Sequence, residues 1–507
     1  MKYGMKDALL AVAVAAGLGL GVAASSAEPT GTFKYAEQVK LITMDPQQQS
    51  GSGVPYLRPV YESLFERGPD GAPVPLLATG YEVDGLDVTI TLRDDVAFSN
   101  GEAFNAEVAA ANINRGVALA IIEGLKTVDS AEAVDAFTLR IRLKEPDPAI
   151  IDSLCHTGGM MLAPAAIADP ALDRNPIGTG PYVYDKEASR EGEVRVYTPN
   201  PTYWDTDKIG LARYEVLELP DDTARLNALK TGQIDAGNWL ANPQSAIIDR
   251  TPGLKLVRGS GGLNYHVIIS DREGTVVPAF ADLDVRQAMA RAIDREAFGQ
   301  AIQFGLAEKS FQPYGKDDWA YDPSLEGVYE YDLEKAREYM AKSKFPGGFS
   351  FDMPSIPIYQ SRLEALAGFF NEIGIRMNIV PQEPGTLARV SRTTSYPATN
   401  LVWATNTDPK FLALRYIYEN AAYNPFKTKP SDELLALAEE GLRSVDPAVR
   451  APIYRKMAAR LAEEAFLIFV TNTPILFGVS DKTANNDTVV YRFGEDSINL
   501  RGLKAND

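Results

Sequence analysis

Few residues in this chain are equipped for covalent chemistry. Histidine occurs twice, at His156 and His266, and cysteine once, at Cys155. Two imidazoles cannot build an HExxH zinc helix or a multi-histidine metal centre. A Ser-His-Asp triad of the α/β-hydrolase kind would need a nucleophile elbow, and no G-x-S-x-G is present. Ser50-Gly51-Ser52-Gly53 and Gly259-Ser260-Gly261-Gly262 lack the Lys-Ser/Thr ending of a phosphate loop and the spacing of a dinucleotide fingerprint, so both read as turns. Cys155 follows Ile150-Ile151-Asp152-Ser153-Leu154, which predicts a buried structural thiol. A nucleophilic thiol wants a partner base, and His156 is merely its neighbour in sequence. The toolkit for catalysis is poor, and the expectation is a chain that is not an enzyme, with no cofactor and no metal.

Charge narrows the partners. The chain holds 68 acidic and 50 basic residues, and removal of residues 1–27 (two Lys, one Asp) leaves 67 and 48, a net charge of −19. Such a surface repels nucleic acid and anionic lipid, and no basic stripe offsets it. The N-terminal residues point to export. Lys2 and Lys6 precede an apolar run over 8–24, and Ser25 and Ala27 place small residues at −3 and −1 of a cut after Ala27. That order predicts a cleaved secretory signal over 1–27. Its apolar part is short of the about 20 residues that a bilayer span wants. Without a cysteine near the cut, a freely soluble periplasmic protein is expected rather than a lipid-anchored one. One cysteine also rules out an intrachain disulfide, so the core must hold the fold.

The elements that would position a site follow from periodicity. Residues 81–93 alternate apolar and polar about Gly85, the pattern of a half-buried hairpin, and 137–143 repeats it. Strands are expected at 193–197, 213–219, 349–353, 377–380 and 466–470. Helices are expected at 103–115, 221–230, 333–342, 363–373, 432–444 and 448–465. Another is expected at 285–294, where Val285, Ala288, Met289, Ala292 and Ile293 share a face. Mixed strands and helices over about 480 residues exceed one core, so at least two domains are required.

In this order the residues resemble a known family. Tyr61-Glu62-Ser63-Leu64, Thr89-Ile90-Thr91-Leu92-Arg93, Gly178-Thr179-Gly180-Pro181-Tyr182 and Asn200-Pro201-Thr202-Tyr203-Trp204 are similar to motifs of the large periplasmic solute-binding proteins of peptide and nickel ABC importers. So are Leu229-Lys230-Thr231-Gly232-Gln233-Ile234-Asp235, residues 285–295 and 331–337, and Trp403 with Thr407-Asp408-Pro409. The likeness runs nearly end to end. It implies an α/β bilobal periplasmic-binding-protein fold with two crossovers and an extra subdomain in the first lobe. The core subdomain of that lobe would take 28–56, 182–268 and 474–507, the extra subdomain 57–181, and the second lobe 269–473. Crossovers would fall near 265–270 and 471–474. It also implies a monomer that captures a small solute, a di- or oligopeptide first, and hands it to an ABC permease and ATPase complex.

Most motif residues read as skeleton. Gly178 and Gly180 are expected to supply backbone angles closed to larger residues. Tyr203 and Trp204 are expected to fill the core, and Arg225 and Arg286 to tie helices to carboxylates or carbonyls. The ligand is expected between the lobes, where a buried ammonium requires a carboxylate. By resemblance that group is Asp408, with Trp403 on the same wall. The competing reading of Asp408 is a cap on the turn into 410–416. Trp239, Tyr265, His266, Asn406 and Arg392 are further candidates, with Arg389 beside the last. Lys410, a poor metal ligand, follows Asp408-Pro409 and speaks against the nickel branch. Short peptide, opine, oligosaccharide or another amine-bearing solute stay open, as does a chemoreceptor role. An exported hydrolase would need paired carboxylates that the spacing does not reveal.

Overall fold

Gly85 adopts a φ of 60°, so the chain reverses there and pairs Ala78–Asp84 with Asp87–Leu92. Thr138–Leu143 and Val128–Asp135 extend this hairpin into a four-stranded antiparallel sheet. The alternation read from sequence puts Val88, Ile90, Leu139 and Ile141 on its buried face. The helix Ala106–Leu119 covers that face, capped by Asn105, which accepts from the Val108 amide. The structure, a computed structural model, describes residues 28–48, 53–68, 72–238, 240–259, 262–383, 386–404, 408–484 and 498–505. The expected signal at 1–27 lies outside them. Among the described residues no helix is long and apolar enough to cross a membrane.

A seven-stranded sheet forms the other half of the first lobe. Its order is Leu254–Arg258, Leu476–Ser480, Ala236–Gly237, Thr32–Glu37, Arg213–Glu218, Val194–Pro199 and Tyr182–Tyr184. One apolar core runs through both sheets, joining Tyr35 and Tyr214 to Ile90 and Leu139. The second lobe has its own core, built on the sheet Glu308–Lys309, Leu467–Thr473, Leu263–Ile269 and Ala398–Ala404, with a parallel pair, Phe349–Ser355 and Ile375–Pro381, beside it. The expected face of the helix Leu283–Ala292 is buried there, Val285, Ala288, Met289 and Ala292 included.

Two expectations need correction. Leu263–Ile269 pairs along its whole length within the second lobe's sheet, so the first passage between lobes lies before Leu263 rather than at 265–270. The chain passes back to the first lobe's sheet between Thr473 and Leu476. Gly178 and Gly180 do not have positive φ. They are needed for close approach: a Cβ would sit 2.1 Å and 2.6 Å from the nearest backbone oxygens, those of Val60 and Pro59. The Gly180 amide donates to Val60 O at 2.8 Å, and Asn200 Nδ2 donates to Gly180 O at 2.8 Å.

The other motifs are skeleton as read. Glu62 accepts from Tyr203 Oη at 2.7 Å and Trp204 Nε1 at 3.0 Å, and Arg93 stacks 4.0 Å above the Trp204 ring. Arg225 donates to the carbonyls of Leu219, Pro220 and Asn238, and Arg286 to those of Phe280 and Glu464. Cys155 is a buried free thiol, its Sγ 3.4 Å from Ile151 O.

Candidate functional site

The two lobes meet at a seam of charged side chains, and short local elements set each of them. From the first lobe, the strand Phe65–Arg67 ends in Arg67, and the helical turn Ile150–Ser153 presents Asp152. Arg67 is ion-paired with Asp152 and its Nε donates to His156 Nε2 at 3.3 Å. Asp147 lies just before the turn and accepts from the Ala149 amide at 2.9 Å, while the Thr127 hydroxyl donates to its other oxygen.

From the second lobe come Asp408, Lys410, Arg450 and Asp318. Asp446 caps the helix Pro447–Glu464, with Pro447 at its first position where no amide is required. Arg450, in the first turn, makes a two-pronged pair with Asp408: Nη1 to Oδ2 at 2.8 Å and Nη2 to Oδ1 at 2.7 Å. The fork geometry suits a carboxylate. Asp408 Oδ1 also accepts from the Lys410 amide at 2.9 Å, and the helical turn Lys410–Leu412 has Pro409 as its N-cap. Asp318 sits on the loop 312–322, whose base is closed by Gln312 Nε2 to Asp322 O at 2.7 Å and the Asp322 amide to Gln312 Oε1 at 3.0 Å. Trp319 on that loop lies 5.2 Å from the Arg450 guanidinium.

Lys410 crosses the seam and is ion-paired with Asp147. Electrostatics carry the same signature. Burial pushes the Asp152 carboxyl up to about 6, pulled down by Arg67 and Arg450 and raised by the Asp408 charge from the other lobe. Burial, with Asp408 beside it, pushes Asp318 up to about 7. Burial and the charges of Arg67 and Arg58 hold His156 well below the ordinary imidazole value. Burial works against the Arg450 cation, yet Asp408 keeps it above its ordinary value.

The candidates read from sequence fall into four groups. Asp408 is in the seam. Trp403 and His266 share a face of the second lobe's sheet and meet through Tyr416, with ring centroids 6.1 Å and 5.4 Å from it. Both are buried, and among the described residues Trp403 Nε1 and His266 Nε2 have no hydrogen-bond partner. Burial brings His266 down to about 4, so its ring is neutral. Tyr423 stacks on Tyr416 at 5.7 Å, and the exposed Arg392 covers it at 5.1 Å, donating to its hydroxyl at 3.3 Å. Arg389 is exposed on the short helix before. Tyr265 lies on the opposite face, stacked 5.7 Å from Phe298 inside the second lobe. Trp239 and Asn406 lie outside the described residues.

Sequence reasoning missed Arg67, Asp147, Asp152, Asp318 and Arg450, and treated Lys410 only as an argument against nickel. The available signal was the rarity of buried charge: Asp152 within an apolar run, and Arg450 on the buried face of an amphipathic helix. Among the described residues no group of three His, Cys, Asp or Glu is placed to hold a metal ion.

Comparison with known proteins adds to this geometry. Residues 72–425 match the family of bacterial extracellular solute-binding proteins, family 5 middle. A glutathione-binding protein of Pectobacterium atrosepticum is 25% identical over 456 residues, covering 83% of this chain and 84% of its own. HbpA2 from Haemophilus parasuis superposes with a TM-score of 0.83 at 20% identity, over 94% of this chain and all of its own. The periplasmic binding protein DppA from Helicobacter pylori, in complex with the peptide STSA, gives 0.75 at 20% identity over 94% and 98%. The two solved structures share the fold.

Proposed function

Because the chain belongs to the family 5 bacterial extracellular solute-binding proteins, we propose that it captures a short peptide or peptide-like amine between its lobes, in the periplasm, and delivers it to an ABC permease and ATPase complex. The observation that supports this reading is the charged seam, where Arg67, Asp147 and Asp152 of one lobe face Asp318, Asp408, Lys410 and Arg450 of the other. A solute with an ammonium and a carboxylate can engage both signs there. Closure is favoured by contacts that exist only with both lobes around the guest, and the transporter reads the closed shape.

The name of the Pectobacterium relative makes glutathione a concrete candidate, and the peptide in the Helicobacter complex makes unmodified peptides another. Isothermal titration of the purified protein with glutathione, trialanine and agropinic acid tests the class. Saturable binding of glutathione or trialanine supports the peptide reading. Binding of agropinic acid alone would replace it with the opine reading.

A further inference from the structure

We propose that a carboxylate of the ligand is received by the Arg415 guanidinium together with the Trp403 indole N–H, so that the second lobe selects peptides with a free acid group. This deepens the peptide reading and rests on it. A carboxylate brought between the lobes needs N–H donors that are not already spent on the protein's own acids. Arg67 is paired with Asp152, Lys410 with Asp147, and Arg450 with both oxygens of Asp408. Arg415 differs from all three. Its guanidinium makes no ion pair and no hydrogen bond among the described residues, and it stacks on the Trp403 ring, 5.0 Å from the centroid. The side chain is half-buried, so a solute can still reach it.

Trp403 gives an independent sign. Its ring is 1% exposed, and among the described residues its Nε1 donates to nothing. An indole N–H buried without an acceptor is costly, and an arriving oxygen removes that cost. Two donor groups in contact, both unspent, call for an acceptor that carries charge. The backbone fixes their place. Trp403 stands on the strand Ala398–Ala404, five residues before Asp408, with Tyr416 edge-on to its ring at 6.1 Å. Arg415 stands in the wide helical turn Ala413–Ile417, closed by the Tyr418 amide on Ala413 O at 3.1 Å, a form of helix that recurs at functional sites. That turn continues the helical run begun at Lys410, whose Nζ reaches Asp147 of the first lobe. Strand end and wide turn therefore both border the seam. A carboxylate suits the pair because its two oxygens can accept from the guanidinium fork and from the indole.

The test titrates trialanine, trialanine amide and glutathione into wild type, Arg415→Gln, Arg415→Lys and Trp403→Phe by calorimetry, with thermal unfolding of each. In wild type, amidation is expected to weaken trialanine about tenfold or more, the size of a charge-assisted hydrogen bond. Arg415→Gln loses the same factor for the free acid and then binds acid and amide alike. Its melting temperature stays near wild type, since no ion pair is lost. Arg415→Lys keeps part of the preference, having the charge without the fork. Trp403→Phe, which keeps a ring and deletes the N–H, loses less than Arg415→Gln. Weakening confined to glutathione assigns the carboxylate to the glutamyl arm rather than to the C-terminus, and supports the site equally. Arg415→Gln that binds both peptides as tightly as wild type, or that keeps the full preference for acid over amide, would overturn the assignment while leaving the peptide reading intact. Failure of wild type to bind either trialanine or glutathione would remove both.

Discussion

Lys410 Nζ, in the second lobe, is ion-paired with the Asp147 carboxylate, in the first, and the Asp147 side chain is fully covered. The pair spans the cleft and can exist only when the lobes are together. It is therefore part of what the closed form offers and the open form lacks.

Removing one partner of such a pair strands the other in the seam, at about 3–5 kcal/mol for a buried charge left uncompensated. Lobe opening relieves that cost by hydrating the residue. Lys410→Met is thus expected to enlarge the radius of gyration of the ligand-free protein in small-angle scattering. The Lys410→Met, Asp147→Asn double variant returns towards wild type. Unchanged dimensions in the single variant would show that the pair does not govern closure.

Glu62 gives a pH prediction with a definite sign. Burial pushes its carboxyl up to about 7, although Tyr203, Trp204 and Arg501 favour the charged form. A carboxyl raised in the folded state adds stability that is fully present below its unfolded value near 4.5 and is lost as pH rises through about 7. Glu62→Gln removes that loss. Urea unfolding at pH 5 and at pH 8.5 should therefore show the stability difference moving in favour of Gln at the higher pH. Movement the other way would contradict the assignment.

Two glycines separate close approach from backbone angle. At Gly178 an added Cβ meets Val60 O at 2.1 Å, whereas Gly101 has a φ of 88° and open space around it. Gly101→Ala should cost about 1–2 kcal/mol, the left-handed penalty. Gly178→Ala should exceed it, towards the upper end of the ~1–3 kcal/mol of an overpacked core, because a backbone oxygen cannot swing aside. Equal melting temperatures for the two variants would refute the close-approach account.

Where a side chain's fate depended on near neighbours, the sequence was readable. The helix Leu333–Lys342 and the turn at Gly85 match the expected positions, since apolar spacing and a glycine at a reversal are local signals. The strand Val128–Asp135 was not anticipated, because Ser130 and Glu132 alternate with the small Ala131 and Ala133 rather than with large apolar residues, and the register shifts near both ends. Residues 265–270 were expected to be a crossover, whereas Tyr265, Val267 and Ile269 are buried in the second lobe's own core. Asp408 stood out through its motif. Its partner Arg450 did not, being 42 residues on in a helix whose turns look ordinary. Lys410 and Asp147 are 263 residues apart, and no periodicity relates them. Asp318 lay in a stretch for which no element was expected.

Hydrogen exchange with and without a saturating peptide tests the central claim most directly. Trialanine or glutathione is expected to slow exchange at 145–156 in the first lobe and at 314–320 and 408–416 in the second, all with one concentration dependence. Protection confined to a single lobe, under conditions where calorimetry shows the site filled, would contradict capture between the lobes.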